Sequence, residues 1–134
     1  WCKSSNQSGV EIQDVELVNH EVKFFHYLAK KTLEWDFNSN LGLVVGATYP
    51  EELKEVRNLA PNLPILLPGI GSQKGDLSLS MHYGFNGNSD SILVSSSRSI
   101  IYASSEKSSF GESSRIACDK LRIQINEILS VDTG

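Results

Sequence analysis

The sequence predicts an α/β protein in which parallel strands alternate with helices, as in a (β/α)₈ barrel. Two observations support this fold class. Short apolar runs recur along the 134 residues, and apolar residues between them recur at helical spacing. The run 41–46 is continuously apolar, which is typical of a parallel strand buried on both faces. The order strand, helix, strand, helix, strand, loop, strand, helix amounts to half of an eight-unit barrel. Because half a barrel cannot close, we expect open edges and an exposed inner layer.

The composition is that of one globular domain, which we assign to residues 1–134. The formal net charge is −4 with both signs interspersed, which argues against a nucleic-acid partner. No apolar run approaches the ~20 residues that span a bilayer, and no signal-peptide pattern is present, so we expect no membrane partner and a cytoplasmic protein. Cys2 and Cys118 are interpreted as buried free thiols. The histidines show no metal-ligand spacing, so no metal is expected.

The first elements lie in residues 1–35. Residues 1–5 are predicted to be the end of a strand, followed by the turn-rich run 5–9. Since the chain begins inside a strand, we expect it to be a fragment of a longer protein. A long helix is predicted over 13–35, because apolar residues recur there at helical spacing, with acidic residues toward its start and lysines toward its end.

The middle of the chain continues the alternation. A strand is predicted at 41–46 and a helix at 50–60. Thr48 is the expected N-cap of that helix, with a proline in the first turn and Glu51 three residues on, which is a capping-box arrangement. Prolines end the helix and open the next strand, 65–67.

A long loop is predicted at 68–90, with a short helix at 77–82, and a buried strand follows at 92–95. The rest of the chain is predicted to form a serine-rich surface loop at 104–113, a helix at 112–130 and a frayed tail at 131–134. The helix 112–130 is expected to bury one face, formed by Ala117, Leu121, Ile125 and Ile128.

Two strand ends form a candidate phosphate site. Residues 65–76 pass from an apolar strand through a proline into a loop with three glycines, and residues 92–98 pass from a second strand to serines and Arg98. Glycines let the backbone approach a ligand closely, and a guanidinium presents a planar fork that matches phosphate oxygens. The loops after the last two strands of (β/α)₈ barrels often bind phosphate. We therefore expect these two segments to hold a phosphate group together.

Four segments, taken in register, resemble the C-terminal half of the orotidine 5′-monophosphate decarboxylase family: Cys2–Asn6, Gly42–Leu53, Pro68–Asp76 and Ser97–Tyr102. The resemblance covers most of the chain and corresponds to strands 5–8 of the barrel with their helices. It implies a dimeric lyase of UMP biosynthesis that converts orotidine 5′-monophosphate to UMP and carbon dioxide without a cofactor. The missing N-terminal half of the barrel would then be a partner of this chain.

The resemblance also implies contacts to the pyrimidine. Ser5 would hydrogen-bond the ring near its amide edge. Pro68 would lie at the base of the pocket, near the orotate carboxylate. Gln73 would bridge phosphate and base from a mobile loop.

On the phosphate side, the resemblance implies that Arg98 and the backbone N–H groups around Ser97 bind the phosphate. Gly69, Gly71 and Gly75 would let the backbone bend and approach the ligand closely. The chain departs from the family in two places. Ser97 stands where many members have glycine, and Ser72 and Lys74 flank the loop glutamine in place of small residues. We interpret Lys74 as a solvent-facing side chain.

The family's catalytic Asp-x-Lys-x-x-Asp motif does not occur in the 134 residues. We therefore assign no catalytic residue to this chain and expect it to have no decarboxylase activity by itself. Two alternatives stay open. One is another phosphate-binding (β/α)₈ barrel that acts on a sugar phosphate, and the other is a non-catalytic phosphate-binding half-barrel.

Overall fold

A computed structural model describes residues 1–132 as a parallel sheet with helices packed against one of its faces. A 3₁₀ turn at Gln7–Gly9 precedes the first α-helix. The strands are β1 (Glu16–Leu17), β2 (Val22–Lys23), β3 (Leu43–Val44), β4 (Ile65–Pro68) and β5 (Ile92–Ser95). The α-helices are α1 (Val10–Gln13), α2 (Phe24–Trp35), α3 (Pro50–Leu59), α4 (Leu77–Gly84), α5 (Arg98–Ile101) and α6 (Phe110–Asp132).

The main sheet is parallel, with the order β3-β4-β5. The segment predicted as the first strand joins its edge through a single parallel bridge between Lys3 and Val45. The amide of Cys2 donates to the carbonyl of Val44 over 3.0 Å, and the amide of Gly46 donates to the carbonyl of Lys3 over 2.8 Å. The four predicted strand positions therefore lie side by side, as the alternation of strands and helices requires.

The two faces of this sheet have different surroundings. Ile65 and Leu67 of β4 are fully buried against the helices. Leu66 and Leu93 stand opposite each other in the register and point to the other face, where they are 41% and 55% exposed. The expected burial of the strand 92–95 is therefore wrong, because Leu93 of β5 is exposed. The expected exposure of the inner layer is confirmed, because this short parallel sheet does not close on itself.

The predicted helix over 13–35 is wrong in its first half. Residues 16–23 form an antiparallel hairpin, and the helix begins only at Phe24. Glu21 in the hairpin turn has a φ of +51°, which a continuous helix excludes. Val18 is 92% exposed, so the apolar period before residue 24 does not mark a buried helical face. Phe25 of α2 is fully buried, and the period predicts the structure correctly there.

The predicted capping box of the next helix is also wrong. The helix itself is confirmed as α3, but its N-cap is Tyr49, which forms no side-chain capping bond. Thr48 is directed elsewhere, since its hydroxyl donates to the carbonyl of Ser5 over 3.1 Å. Capping is found instead at α4, where the Asp76 carboxylate accepts from the amide of Leu79 over 2.9 Å.

Several smaller expectations change toward the C-terminus. The short helix α5 after β5 was not predicted, and α6 begins at Phe110, inside the expected serine-rich loop. The predicted face of α6 is confirmed, since its four residues are half-buried. Residues 131–132 belong to α6 and do not fray, whereas residues 133–134 lie outside the described residues. Cys2 is buried as expected, but Cys118 is exposed because it lies off the packed face of α6.

One buried cation connects three helix and strand ends. The guanidinium of Arg57, in α3, donates to five backbone carbonyls, those of Ala60, Pro61, Leu63, Gly84 and Ser91, over 2.7–3.2 Å. Burial lowers the pKa of Arg57 below its ordinary value. These bonds fix the ends of α3 and α4 relative to the start of β5, and so hold the scaffold that carries the loops at the opposite edge.

Candidate substrate-binding site

A compact glycine turn follows β4 at the carboxyl edge of the sheet. Gly69 and Gly71 have φ values of +104° and +88°, a region that favours glycine. The amide of Lys74 donates to the carbonyl of Gly71 over 2.9 Å, and that of Gly75 donates to the carbonyl of Gly69 over 3.0 Å. Lys74, with a φ of +60°, is exposed, in agreement with the solvent-facing interpretation. The turn therefore folds back on itself, with Gln73 near its tip.

The turn brings Gln73 onto Ser5. The Ser5 hydroxyl donates to Oε1 of Gln73 over 3.2 Å, and Nε2 of Gln73 lies 3.4 Å from Oδ1 of Asn6, to which it donates. A Cβ at Gly69 would lie 3.1 Å from the Cβ of Ser5, so the turn also approaches Ser5 through its backbone. Beside this contact is an open polar cavity of about 390 Å³, lined by Ser5, Asn6, Gln7, Thr48, Tyr49 and Gln73.

The position of Ser5 is fixed from two neighbouring segments. A Cβ at Gly46 would lie 2.5 Å from the Cα of Ser5, so the backbones pass each other with no room for a side chain. Thr48 holds the Ser5 carbonyl from the same side. Gly46 and Thr48 thus fix the position of Ser5 relative to the carboxyl edge of the sheet.

An ion pair between a buried lysine and a partly exposed aspartate lies close to Ser5 in the chain. Lys3 is fully buried, and its ammonium group pairs with Asp14 at 2.5 Å. The same ammonium lies 4.6 Å from the centre of the Tyr49 ring, a cation–π contact. Burial, with the carboxylates of Glu52 and Asp14, raises the pKa of Tyr49 above its ordinary value.

The second phosphate-site segment meets the glycine turn from β5. The Ser96 hydroxyl donates to the carbonyl of Ile70 over 3.2 Å, and the hydroxyl oxygens of Ser96 and Ser99 are 2.6 Å apart. Ser97 and Arg98 lie between them and are exposed. The Arg98 guanidinium forms no hydrogen bond or ion pair with another residue of the described range 1–132. An exposed guanidinium on the segment that contacts this turn is available to an anion.

The structure therefore joins the predicted site residues into two groups. Gly69, Gln73 and Ser5 meet beside the cavity, and Pro68 directly precedes Gly69 at the end of β4. Ser97 and Arg98 follow a strand that pairs with β4 up to Pro68 opposite Ser95, but the Arg98 side chain forms no hydrogen bond with Ser5 or Gln73.

Sequence reasoning did not select four polar residues that take part in these contacts: Asn6, Thr48, Ser96 and Ser99. Each is a small polar residue in or beside a loop, a pattern equally typical of ordinary turns. Only the position of Ser96 and Ser99 on either side of Arg98 could have drawn attention to them.

Other kinds of site find no support in the part of the chain that the structure describes. Over residues 1–132 no three His, Cys, Asp or Glu side chains cluster as metal ligands would. No helix in the same range combines the length and apolarity needed to cross a membrane.

Known proteins share both the sequence and the shape of this chain. No protein-family model matches it. It is 36% identical over 127 residues to an orotidine 5′-phosphate decarboxylase of Halobacterium salinarum, covering 93% of this chain and 47% of that protein. It is 39% identical over 128 residues to the protein of the same name from Paracidovorax citrulli, covering 93% and 46%. The chain thus spans about half the length of the curated relatives it matches.

Solved structures agree with this relationship. A Leishmania donovani UMP synthase superimposes with a TM-score of 0.82 at 33% identity, over 95% of this chain and 26% of that one. A Leishmania donovani OMP decarboxylase superimposes with a TM-score of 0.78 at 30% identity, over 95% and 46%. The resemblance inferred from the motifs and the α/β barrel class of the fold are both confirmed.

Proposed function

We propose, from the homology of this chain to about half of an orotidine 5′-phosphate decarboxylase, that it is the substrate-gripping half of such an enzyme. The complete protein would convert orotidine 5′-monophosphate to UMP and carbon dioxide in pyrimidine biosynthesis. The chain would be the C-terminal half of a single barrel domain, and an N-terminal half would complete it.

The contact between Ser5 and Gln73 is the observation that carries this proposal. A hydroxyl and a side-chain amide converge beside a polar cavity, at the carboxyl edge of parallel strands where (β/α)₈ enzymes bind their substrates. Both groups can donate and accept hydrogen bonds, as the amide edge of a pyrimidine requires. Pro68 ends the strand beneath them and would form the base of the pocket.

Phosphate is assigned to the other group of residues. Gly69 and Gly71 keep side chains away from the turn, so a phosphate could approach its backbone closely. The exposed Arg98 guanidinium would supply the charge, and the backbone at Ser97 would add a donor. Energy from this remote contact would hold the turn closed over the base and exclude water from it.

The chemical step is assigned outside this chain. The 134 residues lack the Asp-x-Lys-x-x-Asp motif, so the charged groups that act at the scissile bond would come from the rest of the barrel. The proposal includes a reaction without a cofactor, a homodimer and a cytoplasmic location. Cys2 and Cys118 form no disulfide in the described structure, which agrees with a reducing compartment.

The test is a comparison of ligands on the 134-residue chain. We expect UMP to bind more tightly than ribulose 5-phosphate or inorganic phosphate by isothermal titration calorimetry, because only UMP offers a base to Ser5 and Gln73. Gln73→Ala should remove much of that preference, whereas Asn38→Ala, an exposed residue distant in sequence from the site, should keep it. Equal affinity for UMP and the sugar phosphate would contradict the proposal and favour a sugar-phosphate barrel or a phosphate-binding half-barrel.

A further inference from the structure

Two serine side chains connect the segments assigned to phosphate. Ser96 donates its hydroxyl proton to the carbonyl of Ile70 over 3.2 Å. The hydroxyl oxygens of Ser96 and Ser99 lie 2.6 Å apart. Because a serine hydroxyl has a single proton, and that of Ser96 goes to Ile70, Ser99 is the donor in the second bond. We call Ser96 and Ser99 the serine clasp. Its two hydrogen bonds connect Ser99 to Ser96, and Ser96 to the glycine turn.

The glycine turn is shaped to receive the serine clasp. A Cβ at Gly71 would lie 2.6 Å from Oγ of Ser99 and 3.4 Å from Oγ of Ser96. The φ of +88° at Gly71 also disfavours any side chain. The backbone of the turn therefore packs directly on the two hydroxyl groups.

The serine clasp joins the glycine turn to the Arg98 segment beyond the point where the pairing of β4 and β5 ends. Pairing between β4 and β5 ends at Pro68 opposite Ser95. Beyond that point, the bond from Ser96 to Ile70 crosses between the segments. Arg98 lies between the two clasp serines in the chain, and its exposed guanidinium has no partner in residues 1–132. The clasp therefore fixes the backbone that carries Arg98, and leaves the guanidinium free to bind.

We propose that Ser96 is a positioning residue for the phosphate, which acts through Ile70 and, with Ser99, sets the separation between the glycine turn and Arg98. The inference rests on the proposed function, because it takes phosphate as the ligand of this edge. Without the clasp, the turn and the Arg98 segment sample several separations, and the ligand must order them when it binds. The penalty falls on ligands that contact both segments, which are those that carry a phosphate.

The experiment compares UMP with uridine, which lacks the phosphate, on the 134-residue chain by isothermal titration calorimetry. In Ser96→Ala we expect the affinity ratio of UMP to uridine to fall roughly threefold to tenfold, the effect of one or two hydrogen bonds, with uridine affinity unchanged. Ser96→Thr retains the hydroxyl and should restore the ratio. Ser99→Ala breaks one bond and should produce a smaller fall. Ser108→Ala, at an exposed loop serine, is the matched control.

The possible results of these titrations distinguish a failure of this inference from a failure of the proposed function. A wild-type chain that binds UMP no better than uridine contradicts both. A wild-type chain that prefers UMP, with the preference intact in Ser96→Ala, overturns the clasp alone. An equal loss of affinity for both ligands in Ser96→Ala would mean a general structural role, and would also overturn it. If Ser96→Ala does not fold by near-UV circular dichroism, an unchanged ratio in Ser99→Ala overturns the inference and a reduced ratio supports it.

Discussion

The hydroxyl of Ser5 donates to Oε1 of Gln73 over 3.2 Å, although the two residues are 68 positions apart in the chain. Ser5 follows the first edge segment of the sheet, and Gln73 is near the tip of the turn after β4. The contact therefore connects the ends of two separate strands across the carboxyl edge of the sheet. It also presents two hydrogen-bonding side chains to one cavity.

We expect this contact to couple the two residues in nucleotide binding. Ser5→Ala and Gln73→Ala should each weaken UMP binding by roughly fivefold, the effect of about 1 kcal/mol. Because the side chains touch, the double variant should lose less than the sum of the single losses. Calorimetric titration of the four proteins measures this. The control combines Ser5→Ala with Arg98→Ala. These two side chains share no hydrogen bond, so their losses should be additive, and additivity in the Ser5–Gln73 pair would exclude the coupling.

Arg98 should act on the phosphate alone. Arg98→Ala is expected to weaken UMP binding roughly tenfold or more, because a charge-assisted bond is lost, and to leave uridine affinity unchanged. The dependence of UMP affinity on salt should also decrease. Arg122→Ala removes an exposed arginine of α6 and is the control. Equal losses for UMP and uridine in Arg98→Ala would contradict the assignment of Arg98 to phosphate.

Arg57 should be important for stability. Replacement by leucine removes the guanidinium donor from five backbone carbonyls in a largely buried site, of which those of Pro61 and Ser91 keep a second donor. We expect Arg57→Leu to lower the free energy of unfolding by about 3 kcal/mol or more, measured by urea denaturation, or to prevent folding. Arg122→Ala, at an exposed ion pair, should change it by less than about 0.5 kcal/mol. A folded Arg57→Leu chain with unchanged stability would refute this role.

Cys2 should make stability depend on alkaline pH. Burial raises the pKa of the Cys2 thiol from its ordinary value of 9.0 to about 12. Between these values the unfolded chain loses the proton while the folded chain retains it, so the unfolded state binds fewer protons. The free energy of unfolding should therefore fall as pH rises above 9, by up to about 1.4 kcal/mol per pH unit from this group.

Urea denaturation at successive pH values measures this fall, and Cys2→Ala isolates it. The variant loses packing at every pH, but the part of the slope due to Cys2 should disappear. Cys118→Ala, at an exposed thiol, should retain the slope. An identical pH dependence in the wild type and Cys2→Ala would show that the thiol is not protected.

The elements that sequence predicts well are those whose pattern reflects burial. The apolar runs 65–67 and 92–95 and the helix after Pro50 lie where expected, because a strand or helix that packs on a core must repeat its apolar residues. The helix predicted from residue 13 failed because Val15 and Val18 imitate that period while remaining at the surface. Periodicity alone does not show whether a partner covers the apolar face.

The candidate site likewise contains residues that the sequence predicts and residues that only the folded structure identifies. Glycines and an arginine at strand ends predict a phosphate edge from local chemistry, and family motifs add Ser5 and Gln73. The hydrogen bonds of Thr48 to Ser5 and of Ser96 to Ile70 join residues distant in the chain. The sequence around a small polar residue does not indicate which distant residue it will contact. These hydrogen bonds are therefore known only from the folded structure.

Reconstitution of the barrel tests directly whether this chain is the substrate-binding half of an orotidine 5′-phosphate decarboxylase. The 134-residue chain is co-expressed with the part of the Paracidovorax citrulli protein that it does not match, and decarboxylation of orotidine 5′-monophosphate is followed by absorbance. We expect turnover by the co-purified pair, none by either part by itself, and a large loss when the pair carries Arg98→Ala. Turnover by the 134-residue chain by itself, or a stable pair without activity, would contradict this assignment.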